Sequence, residues 1–128
     1  MTIGLGTTTL ANNWLNMLRG VAFTAPVATF AKLHTADPGA AGATAASVVT
    51  TRVAFTMAAA ASGVLAMNGT PPVFTMTGAE TITHVSVWDA ATLGNFLWSY
   101  VLTTPKTVAN TDTITFTAVG VSMAPLAA

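Results

Sequence analysis

Residues 80–116 read ETITHVSVWDAATLGNFLWSYVLTTPKTVANTDTITF and hold two of the three tryptophans and the single tyrosine of the chain. Three runs in this stretch alternate apolar and polar residues with a period of two, as strands with one buried face do. The breaks between the runs contain Gly94, which tolerates positive φ, and Pro105, which cannot donate to a ladder. The pattern therefore predicts three consecutive strands, at residues 81–89, 95–102 and 111–118.

The flanking sequence repeats this alternation of short strands and turns. Residues 40–47 are almost entirely Ala, Gly and Thr, so this segment has little to bury and is predicted to be a flexible loop. About seven or eight short strands with one N-terminal helix indicate an all-β fold, a β-sandwich or jelly-roll-like domain, and the spacing leaves that choice open. The further strands are predicted at 27–34, 51–57, 62–68, 73–77 and 119–123.

One amphipathic helix is predicted near the N-terminus. Leu10, Trp14 and Leu18 are spaced at i, i+4 and i+8, and Leu15 joins the same apolar stripe. Gly20 follows where a helix-ending glycine is expected. A helix of about ten residues is marginal alone, so we expect its stripe to dock on the sheet or on a neighbouring chain.

The division of the chain follows from its length and its N-terminal composition. A chain of 128 residues has the size of one domain. Residues 1–9 are rich in Gly and Thr and are predicted to be an extended N-terminal arm, and residues 10–128 a single β domain with the helix at its start. The N-terminus lacks the basic residues and apolar core of a signal peptide. No stretch approaches the roughly 18 uninterrupted apolar residues of a membrane span.

The chain is poor in charge. Four basic and four acidic residues balance, and together they make up 6% of the sequence, against roughly 25% in ordinary proteins. Without net charge, neither nucleic acid nor a membrane is expected as a partner. Threonine, alanine and apolar groups must then cover most of the surface, and large apolar patches rarely stay open on monomers. The composition favours a subunit that buries its exterior against other chains, as a homo-oligomer, over a weakly charged solitary domain.

No reaction chemistry is visible in the sequence. His34 and His84 lack further ligands at metal-site spacing, and we interpret them as strand-end histidines bonded to backbone. Asp37 and Asp89 are interpreted as acceptors for turn N–H groups rather than as general bases. The absence of cysteine excludes thiolate chemistry and cysteine zinc sites. We therefore expect no enzyme activity, no cofactor and no metal.

Two segments resemble a known family. Residues 18–43 read LRGVAFTAPVATFAKLHTADPGAAGA, and residues 83–116 begin with THVSVWD and continue through a Gly-Asn turn. Both segments, in this order, resemble a widespread family of small tailed-phage virion proteins. Only Arg52 matches the Gly-Gly-Tyr-Ala-Arg-Gln-like sequence that usually opens the family's second strand. The resemblance implies a bacteriophage virion structural protein, made in the cytoplasm of the host bacterium.

The resemblance leaves two positions in the virion open. Members are often labelled tail-fibre or minor tail proteins, and some resemble proteins that decorate capsids. Our first hypothesis is a capsid decoration, or cement, protein on the capsid exterior, with the major capsid protein as its main partner. The alternative is a minor tail or tail-fibre protein involved in host adsorption. Residues 37–50 and 58–62 carry no aromatic residue, unlike the loops of most host-binding modules, and this favours decoration.

Candidate contacts with partner chains lie in the arm, in the helix and at two arginines. Extended arms reach over neighbours at small cost to the fold. Arginine favours ion pairs both within a chain and across interfaces, and Glu80, Asp89 and Asp112 are the expected acidic partners. Trp14 and Trp98 are also read as core anchors, because buried aromatics dominate core energetics. The candidate partner-binding residues are Ile3, Leu5, Leu10, Trp14, Arg19 and Arg52.

Overall fold

The structure is a computed structural model that describes residues 2–124, 126 and 127. These residues form nine strands and one short helical region, which confirms the all-β prediction with a single N-terminal helix. Each of the predicted strands overlaps an observed strand, and β1 is additional. In chain order the elements are β1 (Gly4–Leu5), a π-helical turn (Thr7–Ala11), α1 (Asn12–Met17), β2 (Thr29–His34), β3 (Val53–Met57), β4 (Val64–Asn68), β5 (Val73–Thr75), β6 (Glu80–Trp88), β7 (Phe96–Val108), β8 (Thr113–Thr115) and β9 (Gly120–Ser122).

Seven of the strands form one curled antiparallel sheet. Its order is β1-β7-β6-β2-β3-β4-β9, and β5 pairs with β8 in a separate two-stranded ribbon. β6 lies between β2 and β7 in this sheet. The two registers place Trp88 opposite Phe30 of β2 and opposite Phe96 of β7. The central position of β6 and β7 follows from their long alternating sequences, which can pair over many residues.

The core lies on one face of this sheet. Val85 and Val87 of β6 are fully buried and lie opposite Tyr100 and Trp98 of β7. The ribbon covers the same face, because Phe74 of β5 belongs to the same buried cluster. Phe74 packs edge-to-face against the ring of Phe116, with ring centroids 5.9 Å apart. The remaining buried apolar residues of the cluster are Leu10, Ala31, Leu33, Phe55, Met76, Ile82, Leu97, Val108, Ile114 and Val119.

β7 continues through the predicted break at Pro105. Its pairing with β6 shifts register between Val101 and Lys106, so residues 102–105 lie opposite the single residue Thr83. Pro105 falls within this bulge, where its missing N–H removes no ladder bond. The proline interrupts the pairing, as expected, but the strand resumes beyond it.

The segment before α1 is attached to the sheet. β1 extends the edge of β7, and the Gly6 N–H donates to the carbonyl of Leu97 at 2.6 Å. The helical region begins at Thr7, inside the predicted arm 1–9, so the end of that arm is helical rather than extended. Met1 lies outside the described residues. The division into an arm and a domain of residues 10–128 stays a prediction.

The predicted flexible loop 40–47 is packed against the sheet. Gly42 is buried with φ +68°, and a Cβ at this position would lie 2.2 Å from the ring of Phe96. The Ser47 N–H donates to the carbonyl of Leu33 at 3.0 Å. Gly42 and Ser47 are held by close backbone approach and hydrogen bonds, while most of the other residues of the segment are exposed. The segment therefore buries little, as expected, and its predicted flexibility stays a prediction.

Candidate interaction surface

Large apolar side chains are exposed in α1 and in the segment that follows it. Leu15 is 64% exposed, Leu18 is 86% exposed and Val27 is 96% exposed. Leu15 and Leu18 are three residues apart and therefore neighbours on the helix surface, and Trp14 and Leu18 are neighbours at i, i+4. We call this surface the α1 patch and define it as Trp14, Leu15, Met17, Leu18 and Val27.

The helical region exposes this surface because only Leu10 and Trp14 of its apolar stripe dock on the core. Leu10 is 2% exposed within the core, and Trp14 is half-buried against the same cluster. α1 ends at Met17, and Gly20 follows with φ +82°, a conformation that glycine adopts without strain. The predicted stripe is therefore divided: its first half docks on the sheet and Leu18 remains in solvent.

A groove of about 540 Å³ opens beside the α1 patch. Trp14 and Val27 belong to both the patch and the groove, so the two are continuous. Trp98, 5% exposed, also lines the groove, and its indole N–H has no hydrogen-bond partner among the described residues. A buried donor without a partner costs about 1–3 kcal/mol. The other apolar lining residues include Leu10, Phe55, Met57, Leu65 and Leu97.

A second groove, of about 560 Å³, lies between two strand edges. Among the described residues, β9 pairs only with β4, so its other edge is open. Within the same residues, the outer edge of β7 is also open beyond Ser99, where its pairing with β1 ends. The Tyr100 hydroxyl is buried here and has no partner among the same residues. Burial raises the pKa of Tyr100 above its ordinary value, so the phenol stays protonated.

The opposite face of the sheet carries a directed chain of hydrogen bonds. Trp88 Nε1–H donates to Ser86 Oγ at 2.8 Å, and Ser86 Oγ lies 2.7 Å from His34 Nε2. His34 Nδ1 lies 2.8 Å from the carbonyl oxygen of Thr44. Because a carbonyl only accepts, Nδ1 carries the proton and Nε2 accepts from the serine hydroxyl. Burial lowers the pKa of His34, which agrees with a neutral ring. The prediction of a strand-end histidine bonded to backbone is confirmed for His34.

Arg52 holds a turn of its own chain. Its Nη1 donates to the carbonyl oxygens of Ala90 at 2.8 Å and of Leu93 at 2.5 Å. Its guanidinium carbon lies 3.7 Å from the centroid of the Trp88 ring, a cation–π contact. These contacts engage Arg52 within the chain, and its contact with a partner chain stays a prediction.

Asp37 and Asp89 accept turn N–H groups, as predicted. Asp37 accepts from the backbone N–H of Thr2 at 2.7 Å and of Gly39 at 2.9 Å, and these bonds hold its pKa down to about 2. Asp89 accepts from the backbone N–H of Asn95 at 2.6 Å and from its side-chain amide at 2.8 Å. Asp89 therefore fixes the turn before β7, and Asp37 fixes both its own turn and the N-terminal segment at Thr2.

The other predicted partner-binding residues occupy different environments. Leu10 is enclosed in the core, so in this structure its side chain is not available to a partner, and Trp14 forms the rim of the groove. Ile3 is half-buried, and Leu5 is 36% exposed at the edge of the sheet. Arg19 is exposed, and its Nε donates to Asn16 Oδ1 at 2.9 Å.

Sequence reasoning missed Leu15, Met17, Leu18 and Val27 as a shared surface. The sequence did contain one sign of this surface. The apolar stripe is longer than a short helix can bury against one sheet, so some of its residues had to stay exposed. Val27 carried no such signal, because the alternation of residues 27–34 assigned it to a strand that in fact begins at Thr29.

Two features are absent from the described residues. None of their helices has the length and apolar character needed to cross a bilayer. No three histidine, aspartate or glutamate side chains in this part of the chain lie close enough together to hold a metal ion.

Comparison with protein families identifies the class of the chain. A family model described as "Podophage GP4 fiber I protein gp80" matches residues 6–124, from just before the π-helical turn to beyond β9. The chain belongs to this family. The family is one of phage virion structural proteins, so the prediction of a bacteriophage structural protein is confirmed. No curated protein matches the chain.

Proposed function

We propose that this chain is a fibre protein of a podophage virion, in contact with other virion proteins. The observation that carries this proposal is the family match over residues 6–124, whose description names a fibre protein. The exposed apolar α1 patch supports it, since a surface of that kind is normally covered by another chain.

The lack of aromatic residues in the loops favours capsid decoration on sequence grounds, but the structure weakens this reason. The aromatic-free segment 37–50 includes residues 40–47, which pack on the sheet through Gly42 and Ser47. A segment folded against its own sheet is a poor guide to host binding, whatever its composition. The fibre alternative therefore takes precedence over the cement hypothesis.

Capsid decoration is retained as a second candidate function. It is favoured by the 6% charged fraction together with exposed apolar residues outside the α1 patch, such as Val64 and Leu93. A protein on the capsid exterior bound to the major capsid protein would cover such surfaces at many repeated contacts, each of about 800 Å² per partner.

We infer that the role is structural and not catalytic. His34, Asp37 and Asp89, which are natural candidates for acid–base chemistry, are each engaged in bonds that hold the fold. Assembly through an apolar surface depends little on ionic strength, because salt screens charges rather than apolar contacts. Such a subunit would stay assembled over a wide range of salt concentrations.

Immunogold electron microscopy of intact virions tests the proposal. An antibody raised against the purified chain should label fibres and leave the capsid shell unlabelled. Uniform labelling of the shell would overturn the fibre proposal and support decoration. If neither fibres nor shell are labelled, in particles that bind a control antibody to the major capsid protein, both functions are contradicted.

A further inference from the structure

The loop of residues 40–47 closes over a histidine that is completely buried. His34 is 0% exposed, and its Nδ1–H donates to the carbonyl oxygen of Thr44 in the loop at 2.8 Å. The backbone holds the same two segments together, since the Ser47 N–H donates to the carbonyl of Leu33 at 3.0 Å. The loop is therefore attached directly to the ring that it covers.

The closed loop is held by few contacts and carries local strain. A second backbone bond joins it to the end of β2, from the Thr35 N–H to the carbonyl of Ala45 at 2.9 Å. Ala45 has φ +49°, in the left-handed region that residues with a Cβ adopt at a cost. Most residues of the loop are exposed, so little apolar burial opposes its opening. We therefore expect the loop to open at a lower free energy than the sheet unfolds.

Basic side chains share the face of the sheet on which the His34 ring lies. His84 of β6 is directly opposite His34 in the register, and opposite residues of an antiparallel pair lie on the same face. Lys32, two residues before His34 on β2, is on that face as well. Arg52 reaches it too, where its guanidinium stacks on Trp88. The loop itself contains no titratable residue.

Two carboxylates hold the ends of the loop and do not bond to the ring. Asp37 accepts from the backbone N–H of Gly39 at 2.9 Å, and Glu80 accepts from the Ser47 hydroxyl. The ring nitrogens of His34 bond instead to a carbonyl and to a hydroxyl oxygen. A protonated ring would therefore gain no hydrogen-bonded carboxylate among the described residues, and it would face the basic groups on its own side of the sheet.

Protonation of His34 also conflicts with its hydrogen bonds. In the neutral ring, Nε2 accepts from the Ser86 hydroxyl. A proton on Nε2 takes that acceptor away, while the Trp88 indole N–H still donates to the same oxygen at 2.8 Å. Burial lowers the pKa of His34, and the bond to Thr44 offsets this only in part. The imidazolium ion is unfavourable under the closed loop, and water that reaches the ring would stabilise it.

We propose that protonation of His34 releases the loop 40–47 from the sheet. The open form binds the proton more tightly than the closed form, so opening is favoured as the pH falls below the ordinary value of 6.5. Release withdraws Gly42 from the ring of Phe96, which packs edge-to-face on Trp88 with centroids 5.7 Å apart. Acid therefore uncovers an aromatic ring that neutral pH hides, wherever the chain lies in the virion.

Amide hydrogen exchange of the full-length chain, followed by NMR at pH 7.5 and at pH 5, tests this release. Observed rates are divided by the intrinsic rates at each pH to give protection factors. Protection of the Ser47 and Thr35 amides should fall at least about 3-fold at pH 5, because each unit by which the pKa is lowered contributes up to about 10-fold. Constant protection of these two amides would overturn the inference.

The opening must also be local. At both pH values the Ser47 and Thr35 amides should exchange faster than the slowest amides of β6 and β7, and low concentrations of urea should change their rates little. If these two amides match the slowest ones in protection and in urea dependence, they exchange only when the whole chain unfolds. That result would overturn the inference as well.

Two histidine variants assign the effect to one ring. His34→Gln removes the titrating group, so protection of the loop amides should no longer fall with pH. His84→Gln is the matched control, because it removes the half-buried histidine opposite and leaves His34 buried, and it should keep the fall. A fall that persists in His34→Gln, or that disappears in His84→Gln, would overturn the inference. If His34→Gln does not fold, NMR titration of the His34 ring in the wild type decides: a midpoint below 6.5 is expected, and one at or above 6.5 would overturn it.

Discussion

Residues 40–47 cover Phe96 with hardly any large side chain, whereas α1 has large apolar side chains and leaves Leu15 and Leu18 in solvent. Hydrophobicity alone would assign the opposite roles to the two regions. The loop is held by a glycine that fits against an aromatic ring and by backbone hydrogen bonds. The helical region docks through Leu10 and Trp14, and its remaining large apolar side chains stay in solvent.

The difference shows where the fold is complete and where it is open to a partner. On the side of the sheet covered by the loop, the polar side chains of His34, Ser86 and Trp88 are satisfied within the chain. On the α1 side, the apolar patch borders a groove lined by Trp98, whose N–H has no partner in the described structure. We therefore expect substitutions on the loop side to change stability, and substitutions in the patch to change assembly.

The largest expected effect is that of Gly42→Ala. Its Cβ would lie 2.2 Å from the Phe96 ring at φ +68°, so overpacking and left-handed strain together should cost about 4 kcal/mol of unfolding free energy. Gly20→Ala is the control, because φ is +82° there but nothing lies within 4 Å, and it should cost only about 1 kcal/mol. Urea denaturation measures both. Equal losses would mean that the close packing of the loop contributes nothing.

Two leucines of the same helical stripe should differ by about 3 kcal/mol in their effect on folding. Leu10→Ala empties a core position and should lower the free energy of unfolding by about 3 kcal/mol. Leu18→Ala, at an 86% exposed position, should change it by less than about 0.5 kcal/mol. Urea denaturation at low protein concentration is the measurement. A comparable loss from Leu18→Ala would place this residue in the fold and remove the basis for the patch.

Arg52→Lys should destabilise the chain by about 1 kcal/mol, because a lysine cannot donate to both carbonyls while stacking on Trp88. Arg19→Lys, on the exposed end of the helical region, should have no measurable effect on thermal unfolding. If the two substitutions lower the melting temperature equally, the contacts of Arg52 do not stabilise the turn after β6.

Two groups with lowered pKa, His34 and Asp37, should make the free energy of unfolding depend on pH. Burial lowers the pKa of His34 below its ordinary 6.5, so the unfolded chain binds more protons below that pH. The free energy of unfolding is therefore unaffected by His34 above pH 6.5. It falls as the pH drops from 6.5 through the lowered pKa of the folded chain, because the unfolded chain then takes up the proton first. Asp37, with its pKa lowered from 3.8 to about 2, adds a separate loss between those two values.

His34→Gln should remove the first loss of stability and keep the second, as measured by unfolding free energies between pH 8 and pH 2.5. A wild-type chain whose stability is flat between pH 6.5 and pH 5 would contradict the buried neutral histidine.

Most strands were predictable from sequence because their period-2 alternation is local. The continuation of β7 beyond Pro105 was not, since it depends on a bulge opposite Thr83 in another strand. The packed state of residues 40–47 depends on the distant ring of Phe96, and composition carries no sign of that contact.

The candidate surface was only partly predictable for a similar reason. The apolar stripe of the helix was visible, and so was the need to dock it. Which residues would dock depends on how far α1 overlaps the sheet, and this places Leu10 in the core and Leu18 outside it. The contacts of Arg52 with Trp88 and Leu93 join positions about forty residues apart, beyond the reach of local patterns.

The central claim is that the α1 patch is covered in the assembled particle, and thiol labelling of virions that carry Leu18→Cys tests it most directly. The chain has no other cysteine, so the maleimide label found on this chain, after the virion proteins are separated by gel electrophoresis, reports on this position alone. We predict that Cys at position 18 is protected in intact particles and reacts fully after the particles are dissociated. Equal labelling before and after dissociation would contradict the claim.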